Sequence, residues 1–598
     1  FEPVLNGRFL RVLMARFDPA APAGVITTDL NPHLEPYAGS SVPQAVRDQS
    51  LGDPRAIVWN GAGTAGYVAG MGSNTVVRID AAGARLGQIE AGEGPTGLAL
   101  DETRGRLYVL DKFAGRVTVV ETAGHSVIAA RNFFDPTPQV IRLGRPHLYD
   151  TRRTSGLGHV SCASCHIDAR MDQLAWDLGN PAGAVQPFDQ NCNFGVGGCE
   201  NWHPMKGPMV TQSLQGLPGT GPLHWRADRA NLAAFNGAFV GLLGDDVMLT
   251  PQEMAQFNSF LATIIYPPNP FRTITNALPT TPINGGNAVT GDQLYRNAPI
   301  DGGFLTCNAC HALPTGTNGT VTSANLLGET QSMKIPQLRN MYEKTGLDLI
   351  PGSVNNRGFG YIHDGSSPNL VAFLQAPVFN FPPGPTGMQQ RRDIAAFVFA
   401  MSVDTHAGVG TQNTVATGSL SLLPPDQQAR LNTMVSLAQG GSAGLVAKGR
   451  VAGRGRGYVY DQAASGFRSD RTGEPVLSLI QLAALTGPGS ELTFTTVPIG
   501  TQRRIGIDRD ADTWLDGDER AVCADPADPA VFPGSPRSVD RNADLLVGTS
   551  DVSVFLTSWF ADLSTGTFTS DFDASGTVST ADITAFLGAW FAALAGGC

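Results

Sequence analysis

Between Pro54 and Gly124 apolar and polar positions alternate in short runs, and the run pattern comes twice. "PRAIVWNGAGTAGYVAGMGSNTVVRIDAAG" starts at Pro54 and "PTGLALDETRGRLYVLDKFAGRVTVVETAG" at Pro95, an offset of 41. Tyr67 stands as far from Pro54 as Tyr108 does from Pro95, and Gly83 and Gly124 close the two units at equal distances. The apolar runs (Tyr67–Val68, Val76–Ile79, Leu107–Leu110, Val117–Val120) are split by Gly and Asp turns. Period-two runs between turn residues predict short paired strands. A strand-built repeat of about 40–45 residues has the size of one propeller blade. A third start falls at Pro136, with Tyr149 in the equivalent place, and "LYDTRRTSG" then cuts that unit short. Propellers close with about four to eight blades, so residues 1–150 supply an incomplete ring of about three. Upstream blades or a partner would complete it; the simpler alternative is a small open β domain.

The far end of the chain switches to a helical period. "DVSVFLTSWFADL" from Asp551 and "DITAFLGAWFAAL" from Asp582 repeat one pattern, each behind an acidic loop. Val409 to Gly500 is rich in Gly, Ser and Thr; its "GRVAGRGRGYVYD" reads as a loop into a small β-rich module, since a lone Gly-rich stretch is a poor nucleotide signal.

Composition narrows the classes. With 598 residues several domains are expected, and 42% hydrophobic residues allow sizeable cores. The 71 glycines and 41 prolines favour turns. A net charge of −11 speaks against nucleic acid and anionic membranes, and suits a basic redox partner or calcium. No apolar run reaches the roughly 18–20 residues of a membrane span. The chain opens on Phe1 with no visible signal peptide, as a processed chain or one lacking its start would.

The chemistry centres on Cys162-Ala163-Ser164-Cys165-His166 and Cys307-Asn308-Ala309-Cys310-His311. In C-x-x-C-H one helical turn offers two thiols to the vinyl groups of a haem, and the next histidine faces the iron. Two C-x-x-C pairs holding one zinc ion is the main rival. It leaves both histidines unexplained, and the pairs lie far wider apart in the chain than in a compact zinc ribbon. A thioredoxin-like dithiol would need a βαβ setting that is absent.

On these residues the chain resembles the bacterial di-haem cytochrome c peroxidases and their di-haem oxidase relatives. "GRPHLYDTRRTSGLGHVSCASCH" and "GDQLYRNAPIDGGFLTCNACH" share Gly, then Leu-Tyr, then a loop before the motif. "PLHWRADRANLAAFN" resembles the family's Phe-Trp-Asp-Gly-Arg segment; "KIPQLRNMYEK" and "GYIHDGSSPNLVAFL" resemble its Leu-Arg-Asn and His-Asp-Gly segments. The blades in front resemble the YVTN-type propellers of secreted bacterial proteins. The resemblance spans about residues 140–405. It implies two tandem cytochrome c folds, four thioether cysteines, His166 and His311 as proximal ligands, Trp225 between the haems, His363 at the second haem's edge and Arg339 against a propionate.

Departures from the family bear on activity. The position of its axial methionine is Pro377, which has no ligand atom. The first histidine after His166 is His203, and the nearest equivalents of the catalytic glutamate are Asp245 and Asp246. Either acid would move a proton in a peroxidase; the alternative is a solvated acidic turn. A thioether suits an electron-transfer haem. Met209, downstream of His166, is the first choice at haem one, and Met333, Met341 and Met388 compete at haem two. The Met209 and Met333 segments look like internal counterparts, with Leu214 and Leu338 in matching places behind them.

Cys192 and Cys199 flank a glycine-rich loop that suits a disulfide, and Cys523 with Cys598 brackets the tail. "DRDADTWLDGDE" places Asp508, Asp510, Asp512, Asp516 and Glu519 at positions 1, 3, 5, 9 and 12 of a calcium loop, with Thr513 at the glycine position. Asp571, Asp573, Ser575 and Asp582 repeat the spacing with Gly576 in place; Asp540, Asn542, Asp544 and Asp551 repeat it with Leu545 there. The paired loop–helix tail resembles a type I dockerin, a calcium-dependent docking module; two plain amphipathic helices are the alternative.

The expected fold class is multidomain α+β: propeller-type blades over 1–150, mainly α-helical cytochrome c domains over 151–275 and 276–410, a small β-rich module over 411–507, an acidic calcium loop over 508–535 and a dockerin-like module over 536–598. The expected molecule is an exported (periplasmic or extracellular) di-haem cytochrome with calcium, a redox partner protein and a docking partner, but no nucleic acid and no membrane span. Electron transfer leads over a peroxidase reducing H2O2, and a scaffold or docking protein is the third reading.

Overall fold

A computed structural model describes residues 5–188, 192–194, 198–345 and 360–596. It divides into two compact units: Phe1–Asn132 with Thr137–Phe271 and Leu278–Asp404, and Phe133–Pro136 with Arg272–Ala277 and Thr405–Cys598. Helices mix with several small, mostly antiparallel sheets, and among the described residues no sheet closes into a barrel.

In the first unit an antiparallel hairpin, Leu13–Asp18 and Ala21–Asp29, precedes two four-stranded meanders. One runs through Pro54–Trp59, Ala65–Gly70, Thr75–Asp80 and Arg85–Glu90; the other through Pro95–Asp101, Arg106–Asp111, Arg116–Glu121 and Ser126–Asn132. The offset of 41 holds at the first, second and third strands and at the fourth, Arg85 against Ser126. Tyr67, Val76 and Ile89 of one sheet and Leu107, Val109 and Val120 of the other form one buried cluster. The expected third unit from Pro136 is not made of strands. Gln139–Gly144, Pro146–Tyr149 and Thr151–Thr154 are helical. The reason is long-range: Leu148 joins Ala163 and Phe257 in a core, and Gln139–Gly144 packs on the Pro251–Leu261 helix.

Each Cys-Cys-His motif adjoins its own apolar cluster. Cys162 packs with Leu148, Val160, Phe239 and Phe257; Cys307 packs with Tyr295, Met341, Ile394 and Phe397. Thr250 and Glu253 form a capping box on Pro251–Leu261, and Asn287 caps Ala288–Asn297. Ala288–Asn297 lies tight on Gly384–Phe399, where a Cβ on Gly291 would stand 1.9 Å from the Asp393 carbonyl. The first of these regions is less helical than expected: among the described residues, 165–231 hold a 3-10 turn (Ile167–Ala169) and short strands but no α-helix. Repeated Pro and Gly there remove donors and favour turns.

The second unit contains a five-stranded antiparallel sheet in the order Gln412–Val415, Glu491–Val497, Gly444–Val451, Arg454–Asp461, Gly466–Ser469. The Pro425–Gln439 helix covers it through Leu431 and Met434, against Leu445, Phe467 and Phe494. "GRVAGRGRGYVYD" is thus a strand pair, not the expected loop. Its glycines serve close packing: a Cβ on Gly449 would meet the Glu491 carbonyl at 1.9 Å. Two helices, Thr549–Thr565 and Thr580–Leu594, complete the chain. Phe555 and Phe586 stack with ring centroids 4.2 Å apart. Among the described residues no helix is long and apolar enough to cross a membrane.

Candidate functional site

Cys162–Ser164 is a 3-10 turn and Cys307–Cys310 one α turn, each a single turn as thiol presentation requires. His166 and His311 donate their backbone N–H to the Cys162 and Cys307 carbonyls at 2.9 and 2.8 Å. Both leave the turn with nearly the same backbone angles, −85°, 61° and −88°, 62°. The two motifs are therefore copies in backbone as well as in sequence.

The histidine rings are fixed alike. His166 Nδ1 lies 2.8 Å from the Gln212 carbonyl, and His311 Nδ1 lies 3.0 and 3.1 Å from the Gly316 and Pro336 carbonyls. A carbonyl only accepts, so Nδ1 carries the proton and Nε2 keeps its lone pair. Gln212 and Pro336 stand in matching places just after the paired methionines Met209 and Met333. Burial pushes both imidazoles below the ordinary histidine pKa, which keeps them neutral and ligand-competent. Burial also pushes the Cys162, Cys165 and Cys307 thiols up to about 11, 12 and 11, and raises Cys310. A reactive dithiol needs the opposite shift. Nor do the thiols converge on one ion: among the described residues the only groups of three or more His, Cys, Asp or Glu placed to hold a metal are acidic.

Both motifs open on one cavity of about 1480 Å³. Small-molecule sites run to about 300–1,000 Å³, so it has room for more than one large planar group. Cys162, Cys165, His166, Cys307, Cys310 and His311 line it, as do Trp225, His363 and Arg339. Trp225 is buried and donates Nε1–H to the Val210 carbonyl at 2.9 Å; its own carbonyl accepts from Lys334 N at 2.8 Å. Val210 N donates to the His363 carbonyl at 2.7 Å. Trp225 thereby ties the Met209–Val210 strand, which leads to Gln212, to the Met333–Lys334 strand, which leads to Pro336. Arg339 is already committed to Asp404 (3.2 Å), the Gly216 carbonyl (2.7 Å) and the Tyr266 ring.

Met209, Met333 and Met341 line the cavity, whereas Met388 is not among the lining residues. Gln212 and Pro336, whose carbonyls take the histidine Nδ1–H, each lie three residues beyond Met209 and Met333, outside the two-residue strands that carry those methionines. Asp245 and Asp246 are outside the lining and both pair with Arg47, Asp245 at 2.8 Å with both partners buried. His203 is also outside; its Nδ1 accepts from Met205 N. Among the lining residues not expected from the sequence are Met171 and His224. His224 Nδ1 lies 2.9 Å from Asp228, which Arg226 and Arg229 also hold. Burial opposes ionisation of Asp228, but His224, Arg226 and Lys206 keep its carboxyl below the usual range. The available signal was the acidic residue four positions after the histidine.

Cys192 and Cys199 form a disulfide. Cys523 is also disulfide-bonded, and its expected partner, Cys598, lies outside the described residues. In the second unit the carboxylates of Asp508, Asp510 and Asp512 gather within 4.8 Å of one another, as do those of Asp571, Asp573 and Asp582. Burial and the neighbouring aspartates push Asp510 up to about 6 and Glu519 up to about 9. Asp516 is spent elsewhere, on Arg509 and Arg520. Ser575 donates its backbone N–H to Asp571 and Asp573. In the 540–551 loop, Asp540 accepts from Asp544 N and Leu545 N, Asn542 donates to Asp544, and Asp551 accepts from Arg541 N and Gly548 N. Among the described residues the three acids Asp540, Asp544 and Asp551 do not gather as the other two sets do.

No family model matches the chain, and no curated protein matches it. Among solved structures it is similar to Kuenenia stuttgartiensis hydrazine synthase, at 20% identity and a TM-score of 0.14 over 14% of this chain and 24% of that one. A structure of Kuenenia stuttgartiensis hydrazine synthase pressurized with 20 bar xenon is similar at 16% identity and a TM-score of 0.30, over 45% of this chain and 90% of that one. The chain spans about a quarter of the length of the first.

Proposed function

We propose that the chain is an exported di-haem c-type cytochrome that carries electrons. The observation behind this reading is the duplicated histidine: two C-x-x-C-H turns with matching backbone, each ring held at Nδ1 by a carbonyl, both opening on one cavity. Cys162 and Cys165, and Cys307 and Cys310, would hold the haems by thioether bonds, with His166 and His311 as proximal ligands. Haem iron supplies one-electron chemistry when bound. The chain's part is to orient and insulate. The Nδ1–H bonds fix each ring and make Nε2 more basic. The lining is mostly apolar and would lower the polarity around a bound group, and Trp225 joins the Met209–Val210 and Met333–Lys334 strands through hydrogen bonds.

What favours a carrier over the peroxidase alternative is the occupation of Asp245 and Asp246 by Arg47, which leaves the expected proton-transfer acids committed. The Cys192–Cys199 disulfide supports an oxidising compartment. The docking role of the tail rests on the Asp571, Asp573 and Asp582 cluster, whose oxygens suit a calcium ion.

Visible and EPR spectra of the half-reduced protein test the reading. Two low-spin haems with no peroxide turnover are expected. A high-spin haem consuming H2O2 would favour the peroxidase, and colourless protein without a Soret band would end both.

A further inference from the structure

The 508–519 loop carries a burden that no group within the described residues relieves. Asp508 and Asp510 are 2% and 3% exposed and Glu519 is 0% exposed. Each aspartate gives one oxygen to the protein. Asp508 Oδ2 takes Arg503, Asp510 Oδ1 takes Asp512 N, and Asp512 Oδ1 takes Trp514 N. The other oxygen of each (Asp508 Oδ1, Asp510 Oδ2, Asp512 Oδ2) is buried without a hydrogen bond, and so are both oxygens of Glu519. That makes five unpaired carboxylate oxygens on four side chains. Buried charge without a partner is strongly unfavourable. A carboxylate cluster with three oxygens bonded to donors and five buried without one is arranged around a cation.

We infer that the 508–519 loop binds one calcium-class divalent ion through Asp508, Asp510, Asp512 and Glu519, with Asp516 bracing the loop rather than ligating. Five carboxylate oxygens, completed by backbone carbonyl or water, reach the six to eight that Ca²⁺ takes; Mg²⁺ demands a near-ideal octahedron and retains waters. Glu519 is the twelfth residue of the loop and presents both oxygens, the bidentate role that suits the larger ion. The ion would fasten the turn after the Gln502–Gly506 helix to the Asp516–Ala521 helix. The Gln502–Gly506 helix packs on Gly444–Val451 and Arg454–Asp461 of the five-stranded sheet and the Asp516–Ala521 helix packs on Arg454–Asp461, so the ion would brace that sheet's flank.

Equilibrium dialysis of the full chain, stripped with chelator and titrated with Ca²⁺, reads the site directly. Glu519→Gln should lower the bound stoichiometry by one, or weaken one site by more than about tenfold. Terbium reports it independently, because Trp514 sits within the loop as an antenna. Trp514→Phe should remove part of the sensitised emission, and Ca²⁺ but not Mg²⁺ should displace the terbium. This second variant keeps every carboxylate, so it reads the site even where Glu519→Gln fails to fold. Unchanged stoichiometry in Glu519→Gln, together with unchanged emission in Trp514→Phe, would overturn the site; equal displacement by Mg²⁺ would overturn the calcium class.

Discussion

His159 donates Nε2–H to the Leu10 carbonyl at 2.8 Å and is 1% exposed. Burial holds its pKa below the ordinary value, although Asp29 and the Leu10 hydrogen bond pull the other way and Arg11 pushes with burial. His33, nearby, is pushed down to about 4 by burial and then by Arg85, with Asp29 opposing. Unfolded histidine takes its proton at about 6.5. Between that pH and about 4 the unfolded chain therefore binds more protons than the folded one, so stability falls as the medium turns acid. Chemical denaturation of the first unit, followed from pH 7 to pH 5, should show its midpoint dropping. His159→Gln keeps a donor at the Nε2 position and cannot take the proton, so its drop should be shallower; parallel slopes for parent and variant would refute this. At this scale the sequence was legible where the signal was local. The C-x-x-C-H residues read directly, whereas two of the carbonyls that fix the rings could not, because Gln212 lies 46 residues and Pro336 lies 25 residues from its histidine.

The C-terminal helices show what a repeat does and does not reveal. Trp559 Nε1 donates to the Ser579 carbonyl at 2.8 Å, and Trp590 Nε1 donates to the Gly548 carbonyl at 2.9 Å. Trp590 stands to Trp559 as Ser579 stands to Gly548, and as Asp582 stands to Asp551, all at one offset. The offset visible in sequence is thus a pseudo-twofold pairing in which each helix anchors the start of the other. Removing either bond should weaken the pair about equally. Trp559→Phe and Trp590→Phe should each lose about 1 kcal/mol in denaturant unfolding of the second unit. A loss confined to one variant would break the proposed equivalence. The offset of 41 between the two meanders was readable for the same reason, as strand period and turn residues act within one unit. What misled was tertiary. Pro136 opened a segment with repeat spacing but an apolar face claimed by the Pro251–Leu261 helix, and glycines chosen for close sheet packing, such as Gly449, resembled loop composition.

The cavity of about 1480 Å³ in the first unit is lined largely by apolar side chains drawn from both motif regions. A group that fills it buries that lining, and one bonded through Cys162, Cys165, Cys307 and Cys310 would enter the stability of the first unit directly. The five-stranded sheet of the second unit buries its own core, with Leu431, Met434, Phe467 and Phe494 fully enclosed, and shares none of that dependence. Replacing the four motif cysteines by alanine should then abolish the cooperative melt of the first unit and expose it to protease, while the second unit keeps its transition. Circular dichroism and limited proteolysis, run beside the Soret absorbance, separate the two. A colourless variant whose first unit melts like the parent would show that the polypeptide alone sustains the cavity, and the haem reading would lose its structural support.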